Sequence, residues 1–164
     1  MTKHEKDFTI RELTNTDREG VVPFITSFWH SDRMVAKGRL FYPAQHDGFL
    51  ALRGDEIIGL VTYERQGSDL EISLLDSRDR EKGVGTSLVE HVVKKARQLQ
   101  CKRIWAITTN DNIRAFRFYQ KRGFDLAAFH QNAMEANRKI KPEIPMTGQE
   151  GIPIRHELEF EILL

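Results

Sequence analysis

The sequence predicts a mixed α/β fold, because strand-like segments alternate with segments of helical periodicity. An apolar strand at residues 70–75 precedes a helix whose apolar residues recur every fourth position, from Val84 to Ala96. A second strand at 104–107 precedes a segment that Asn112 can cap and Gly123 can end. Apolar and charged residues then alternate from 154 to 162, which predicts a strand with one solvated face.

The N-terminal third predicts a strand followed by two helices. Residues 8–13 form the strand, and Thr16 and Glu19 have the spacing of a capping box for the first helix. Pro23 implies that this helix either bends or starts again near the proline. Residues 31–37 predict a short second helix that Gly38 closes.

The middle and the end of the chain complete the pattern. Residues 48–53 and 57–65 flank Gly54-Asp55-Glu56, which predicts a hairpin. Residues 124–129 predict a strand, and Asn132 and Glu135 cap a short helix that ends near Lys139. The segment that follows is rich in proline and glycine, and we interpret it as an ordered loop rather than a linker.

Length and charge favour one domain over residues 1–164. With 164 residues and 40% hydrophobic content, the chain can bury a single sizeable core. Lys+Arg 25 against Asp+Glu 24 leaves a net charge of +1, which argues against nucleic acid or an anionic membrane as a partner. No apolar run approaches the roughly 20 residues that cross a bilayer.

Cysteine and histidine usage bears on location and on metals. The lone Cys101 cannot form an internal disulfide, and the polar N-terminus lacks the apolar core of a signal peptide. We therefore expect a cytoplasmic protein. The histidines show no HxxxH spacing and there is no CxxC, so the sequence predicts no metal site.

The loop at residues 80–85 has the pattern RxxGxG and leads directly into a helix. Gly83 and Gly85 lack Cβ atoms, so backbone N–H groups of the first helical turn can approach an anion closely. A dinucleotide fingerprint would need a third glycine where Leu88 stands, and a P-loop lysine would follow the last glycine, whereas Lys82 precedes Gly83. Neither nucleotide-binding pattern fits.

With a second motif, NxxAxxxYxxxGF at 112–124, the chain resembles the GNAT superfamily of N-acetyltransferases, which transfer an acyl group, usually acetyl, from coenzyme A to an amine. The resemblance is firm over residues 69–124. It implies a mostly antiparallel central sheet of about six to seven strands flanked by helices, with acetyl-CoA as co-substrate. It also implies a set of cofactor-binding residues: Leu74, Leu75, Arg80, Glu81, Lys82, Gly83, Val84, Gly85, Thr86, Asn112, Ala115, Phe118 and Tyr119.

The chemistry requires a base and benefits from an acid. A lysine-type amine has a pKa of about 10.4, so only about one molecule in 10³ is the neutral nucleophile near pH 7. Glu71 on the motif strand is the candidate base, although an exposed structural residue is the alternative. Tyr119 matches the family's general acid, since a phenol stays neutral at pH 7 and can protonate a departing thiolate. A packed core aromatic is the competing interpretation of Tyr119.

The acceptor is expected to be a small-molecule amine, bound by the N-terminal helices and the loop at 40–48. The candidate substrate-binding residues are Trp29, His30, Arg33, Tyr42 and Asp76, with His46 nearby in the loop. Two other functions stay open. The chain could be a catalytically silent acyl-CoA-binding regulatory module, or an interaction protein that assembles through a half-solvated C-terminal edge strand. A homodimer also stays open.

Overall fold

The computed structural model describes residues 7–78 and 83–164. The strands are β1 (Thr9–Glu12), β2 (Met34–Ala36), β3 (Arg39–Phe41), β4 (Asp47–Arg53), β5 (Glu56–Gln66), β6 (Asp69–Ser77), β7 (Arg103–Thr109), β8 (Asp125–His130) and β9 (Glu157–Leu163). The helices are α1 (Arg18–Trp29), α2 (Val84–Gln98), α3 (Ile113–Lys121) and α4 (Ala133–Ile140). Seven strands form one sheet in the order β1-β4-β5-β6-β7-β9-β8, while β2 and β3 pair as a separate hairpin.

The sheet is mixed and mostly antiparallel, which confirms the predicted fold class. Each neighbouring pair is antiparallel except β6 and β7. That parallel pairing covers only residues 69–72 of β6, although β6 continues to Ser77 and β7 to Thr109. The two strands therefore part half-way along the sheet.

Helices cover both faces of the sheet. The stripe of α2 that the sequence predicted is buried, with Val84, Leu88, Val92 and Ala96 in one apolar cluster. Helix α1 contributes to a second cluster, which contains Leu50 of β4, whereas the neighbouring β4 residue Ala51 belongs to the α2 cluster. Because adjacent strand residues point to opposite faces, α1 and α2 lie on opposite sides of the sheet.

The first helix differs from its prediction in how it begins. Helix α1 runs without interruption from Arg18 through Pro23, so a restart at the proline is wrong. A short 3₁₀ turn precedes it, and there the carboxylate of Asp17 accepts the backbone N–H of Thr14 at 2.7 Å. The capping pair is therefore Thr14 and Asp17, which are two residues earlier than the predicted Thr16 and Glu19.

The predicted second helix at residues 31–37 is wrong, since this segment contributes to the β2–β3 hairpin. Lys37 and Gly38 have φ values of 50° and 70°, as in a tight hairpin turn, so Gly38 ends a strand rather than a helix. The backbone N–H of Lys37 donates to Glu157 Oε1 at 3.0 Å, and that of Gly38 donates to Asn137 Oδ1 at 3.0 Å. These distant partners stabilise the turn.

The C-terminal strand does not have the predicted solvated face. Strand β9 lies between β7 and β8 and pairs with both. Glu157 and Glu159 are only 1% and 6% exposed. Glu159 accepts hydrogen bonds from Lys37 at 3.0 Å and from Arg103 at 2.5 Å, and these cations make its burial tolerable. Since both edges of β9 are occupied, it cannot be the free edge that the assembly hypothesis required.

The remaining elements agree with the sequence. The first strand, the β4–β5 hairpin, β8 and α4 form within a few residues of their predicted positions. The predicted side-chain cap of α4 is wrong, because Asn132 is its N-cap residue but its side chain makes no capping hydrogen bond. The proline-rich loop is ordered, because Asp111 accepts the backbone N–H of Gln149 at 3.1 Å and Asn110 accepts those of Arg155 and His156 at 2.8 and 2.9 Å.

Candidate active site

A bulge in β6 marks the point where this strand leaves β7. Tyr63 of β5 pairs with Ile72, while the adjacent Thr62 pairs with Leu74, so Ser73 is an extra residue on β6. Beyond Ile72 the edge of β6 that faced β7 is no longer paired with it. Leu74 and Leu75 lie on this stretch. An extended main chain with one open edge can hydrogen-bond an elongated ligand in the manner of an added strand.

Helix α2 begins with an open first turn at the end of β6. Gly83 is its N-cap with a φ of 78°, a conformation that favours glycine, and no side chain of the described residues caps the helix. The backbone N–H groups of a first turn lack partners within their helix and can donate to an anion. A Cβ on Gly85 would lie 3.3 Å from Cε2 of Phe118, so this glycine lets α3 pack closely against α2.

The other loop residues that the resemblance selected lie outside the described residues: Arg80, Glu81 and Lys82.

Arg122, which sequence reasoning did not select, places a positive charge beside this turn. Its Nε and Nη2 donate to Oγ1 of Thr86 at 2.9 and 2.6 Å, and its guanidinium carbon lies 4.5 Å from the centre of the Phe118 ring. The hydroxyl of Thr86, a residue that the resemblance assigned to cofactor binding, is thus already engaged. The contact spans 36 positions of sequence, so no local pattern indicated it.

Helix α3 is capped as predicted and buries the candidate acid. Oδ1 of Asn112 accepts the backbone N–H of Ala115 at 3.0 Å. The ring of Tyr119 is 6% exposed and packs against Phe160 and Phe124 with centroid distances of 5.5 and 5.0 Å. The aromatic ring is therefore part of the core, as the competing interpretation held, and only the hydroxyl is left for chemistry.

The electrostatic surroundings of Tyr119 keep its phenol protonated. Burial, and secondarily the negative charge of Asp76, raise the pKa of Tyr119 above its usual value. A neutral phenol can act as a proton donor where its hydroxyl reaches a leaving group.

Glu71 is buried, so the alternative that it is an exposed structural residue is wrong. It is 2% exposed, and its Oε2 accepts hydrogen bonds from Arg39 Nη2 at 2.5 Å and from Gln66 Nε2 at 2.7 Å. Burial raises the pKa of Glu71 to about 7, outweighing the attraction of Arg39, and the neighbouring Glu64 raises it further. A carboxylate with a pKa near neutrality is suited to general base catalysis.

Two predicted substrate-binding residues meet at the end of β6. Nε1 of Trp29, the last residue of α1, donates to Oδ2 of Asp76 at 2.6 Å. Burial raises the pKa of Asp76 to about 7 although the indole hydrogen bond opposes the shift. Trp29 itself is 46% exposed. The pair therefore joins a solvent-facing aromatic ring to a carboxyl group that titrates near neutrality.

Among the described residues, none of the other predicted acceptor residues forms a hydrogen bond or an ion pair with the side chains of this pair. His30 ends α1 in the left-handed region and is exposed. Arg33 forms an ion pair with Glu143, in the loop after α4, and its carbonyl accepts the Nζ of Lys141 at 2.8 Å. Tyr42 is 39% exposed and precedes a short 3₁₀ turn.

Three hydrogen-bonded polar side chains, those of His46, Ser73 and Thr62, lie at the bulge. Of the three, only His46 was selected from the sequence. Nδ1 of His46 lies 2.7 Å from Oγ of Ser73, which lies 2.8 Å from Oγ1 of Thr62. Burial lowers the pKa of His46, which favours its neutral form. The available signal was Ser73 itself, a polar residue within an apolar strand.

Comparison with known proteins assigns the family. The sequence profile of the Acetyltransferase (GNAT) family matches residues 10–124. The chain belongs to the GNAT family. This GNAT chain is 45% identical over 138 residues to the uncharacterized protein YdhI of Bacillus subtilis (strain 168), covering 84% of this chain and 86% of YdhI.

Solved structures share the fold of this GNAT chain. The IAA acetyltransferase from Bacillus cereus ATCC 14579 superposes with a TM-score of 0.70 at 17% identity, covering 96% of this chain and 99% of the other. A GNAT family acetyltransferase from Elizabethkingia anophelis with acetyl-CoA bound gives 0.70 at 19% identity, with 98% and 100% covered. Among the described residues of this chain, no helix is long and apolar enough to span a membrane.

Proposed function

We propose that this GNAT chain transfers an acyl group, acetyl by default, from acetyl-CoA to the primary amine of a small molecule. The observation that carries the proposal is the open first turn of α2, which lies at the end of the strand that parts from its neighbour. An anion-binding turn and an unpaired strand edge follow one another along the chain. This order suits a ligand with a diphosphate at one end and an extended amide-containing arm at the other.

The residues present fit coenzyme A. The backbone N–H groups of Val84, Gly85 and Thr86 are suited to the diphosphate, with the guanidinium of Arg122 adding positive charge. The open edge of β6 at Leu74 and Leu75 is suited to the pantetheine amides. The hydrogen bond from the backbone N–H of Ala115 to Asn112 fixes the first turn of α3, and Phe118 of α3 packs beside Gly85 at the start of α2. Acetyl-CoA would supply an activated thioester, so the protein's main task is positioning.

The acid–base roles follow from the two perturbed groups. Glu71, with a pKa of about 7, accepts the amine proton. Hydrogen bonds from Arg39 and Gln66 fix the carboxylate, so it cannot move towards the amine, and a water molecule relays the proton. The neutral hydroxyl of Tyr119 donates a proton to the departing thiolate. Such assistance contributes about 10²–10⁴ in rate, so losing either group weakens the enzyme without abolishing it.

The acceptor site is proposed at the end of α1 and β6. Trp29 provides an exposed aromatic surface beside the Asp76 carboxyl group, an arrangement suited to an amine with an apolar part. His30, Arg33 and Tyr42 would line the outer rim. With a pKa of about 7, Asp76 would be ionised above that pH and able to hold an ammonium group, in the same range in which Glu71 becomes a base.

The test combines binding with turnover. Isothermal titration of the full chain with acetyl-CoA and with coenzyme A measures the cofactor site, and thiol release over a panel of primary amines measures transfer. Binding together with amine-dependent thiol release supports the proposal. Binding without release for the whole panel would support the silent regulatory module instead, and absence of binding at millimolar concentrations would refute both.

Two variant pairs test the residue roles on an active amine. Tyr119→Phe should lower kcat about 10²-fold or more while leaving acetyl-CoA affinity unchanged. Tyr63→Phe is the matched control, because Tyr63 is also buried, at 8% exposure, but lies in β5. Glu71→Gln should lower kcat/KM above about pH 7 and flatten its rise through that pH, leaving only the part that ionisation of Asp76 contributes. Glu157→Gln, at an equally buried glutamate that supports the hairpin, should retain the full rise.

A further inference from the structure

Strand β8 is the outer strand of the sheet, and its outer edge is open. It pairs with β9 on one side only. In the described part of the chain, no other hydrogen bond involves the backbone of residues 125–130. Leu126 and Phe129 are 48% and 56% exposed. An open edge that carries exposed apolar side chains is a template for pairing with another strand.

A bulge decides which side chains of β8 share a face. The register shifts between Leu126, which pairs with Phe160, and Ala128, which pairs with Glu159. Phe129 pairs with Leu158, two residues from Phe160 on β9. Because residues two apart on a strand lie on one face, and paired residues share a face, Leu126 and Phe129 lie on the same face. Without the bulge, positions three apart would face opposite sides.

The two ends of β8 lie together on the other face. Asp125 pairs with Glu161 and His130 pairs with Glu157, and these glutamates are four residues apart on β9. Asp125 and His130 therefore share the face opposite to Leu126 and Phe129. Asp125 is exposed. Nε2 of His130 contacts Oε1 of Glu159 at 3.1 Å, which leaves its Nδ1 for another partner.

We propose that β8 pairs antiparallel with β8 of a second copy of this chain, about a two-fold axis that passes between Ala127 and Ala128. This register sets Asp125 opposite the partner's His130 and Leu126 opposite the partner's Phe129. A two-fold axis perpendicular to the sheet keeps each face on its own side, so opposed residues must share a face. The bulge satisfies this condition for both pairs.

The complementarity of the strand with itself selects a second copy as the occupant. In this register Asp125 of each copy lies opposite His130 of the other, and Ala127 lies opposite Ala128. The four apolar side chains, Leu126 and Phe129 from each copy, form one cluster on a single face and leave solvent together. The resulting contact is isologous, and one interface completes a closed dimer.

Sedimentation velocity on the full chain over a wide concentration range measures the association. We expect a monomer–dimer equilibrium for the native sequence and a monomer for Phe129→Asp and for Leu126→Asp. Met146→Asp is the matched control, because Met146 is 69% exposed and lies outside β8, so this variant should still dimerise. A native chain that stays monomeric throughout, or a dimer that survives both β8 variants, overturns the proposal.

Disulfide trapping tests the register separately. In the double variant Asp125→Cys/His130→Cys, the cysteine at position 125 of one copy lies opposite the cysteine at position 130 of the other. Mild oxidation should therefore give a covalent dimer on a non-reducing gel. Asp125→Cys alone should not, because the two copies of position 125 lie at opposite ends of the paired strands. The native Cys101 is buried at 6% exposure, so it does not compete. Equal trapping of the single and double variants would show that the register is wrong.

Discussion

Gly59 decides how closely α2 packs on the sheet, and Gly59→Ala tests whether that distance matters. The glycine lies on β5 beneath the start of α2. A Cβ at this position would lie 2.6 Å from Cγ1 of Val84, 3.0 Å from Cδ1 of Leu88 and 3.2 Å from Cβ of Ala51. Val84 and Leu88 are fully buried, so neither side chain can swing into solvent. Helix α2 must move instead.

The size of the effect follows from these contacts. Carbon atoms pack at about 3.5–4.0 Å, so relieving the contact with Val84 requires a shift of roughly 1 Å. Overpacking of this kind costs about 1–3 kcal/mol of stability. Val84 is the first residue of α2, so the same shift displaces the N–H groups proposed to bind the diphosphate. A misplacement of about 1 Å can cost up to about 10²-fold in rate.

Urea denaturation followed by circular dichroism measures the stability, and isothermal titration with coenzyme A measures the binding site. We expect Gly59→Ala to lower both the free energy of unfolding and the affinity. Gly20→Ala is the matched control, since Gly20 lies within α1 with no atom within 4 Å of a new Cβ. This variant should gain about 0.5–1 kcal/mol. If Gly59→Ala keeps native stability and affinity, the close packing of α2 does not position the site.

Three further changes test other contacts. Burial raises the pKa of Glu159, but hydrogen bonds from three basic side chains outweigh it and lower the pKa from 4.5 to about 2. This stabilisation is fully present above about pH 4.5 and is lost as the pH falls towards 2, so Glu159→Gln should cost about 3 kcal/mol at pH 7 and remove that pH dependence in urea titrations. Asp17→Ala removes the hydrogen bond to the Thr14 backbone and should cost about 1 kcal/mol, measured by thermal unfolding; an unchanged midpoint would contradict the capping role. Trp29→Phe removes the indole hydrogen bond that lowers the pKa of Asp76, so an NMR titration should find this pKa above its present value of about 7; a lower value would contradict the assignment.

The catalytic candidates show how far local patterns reach. Asn112 could be selected as a helix cap from local signals, and it caps α3 as predicted, whereas Tyr119 was selected because it matches the motif of the resembled family. The burial of Glu71 and its pairing with Arg39 could not be predicted locally, because Arg39 is 32 positions away. Arg122 escaped selection for the same reason, since its contact with Thr86 spans 36 positions.

The sequence by itself determined the features that short-range geometry controls. The apolar period of α2, the strands around the β4–β5 turn and the glycines of the open helix start follow from dihedral preferences and from which side chains share a face. These preferences act within a few residues, so they can be recognised in the printed chain.

Only the tertiary structure decided the rest. Residues 34–41 form a hairpin, where the sequence predicted a second helix at 31–37. The N–H groups of its turn donate to Glu157 and Asn137, which are more than ninety positions away. Glu159 is buried among basic side chains from other segments, whereas buried Glu157 accepts the backbone N–H of Lys37. An alternating pattern predicts two faces, but it does not say what covers each. The charge and burial of a side chain depend on its neighbours in space, and folding brings those neighbours from anywhere in the chain.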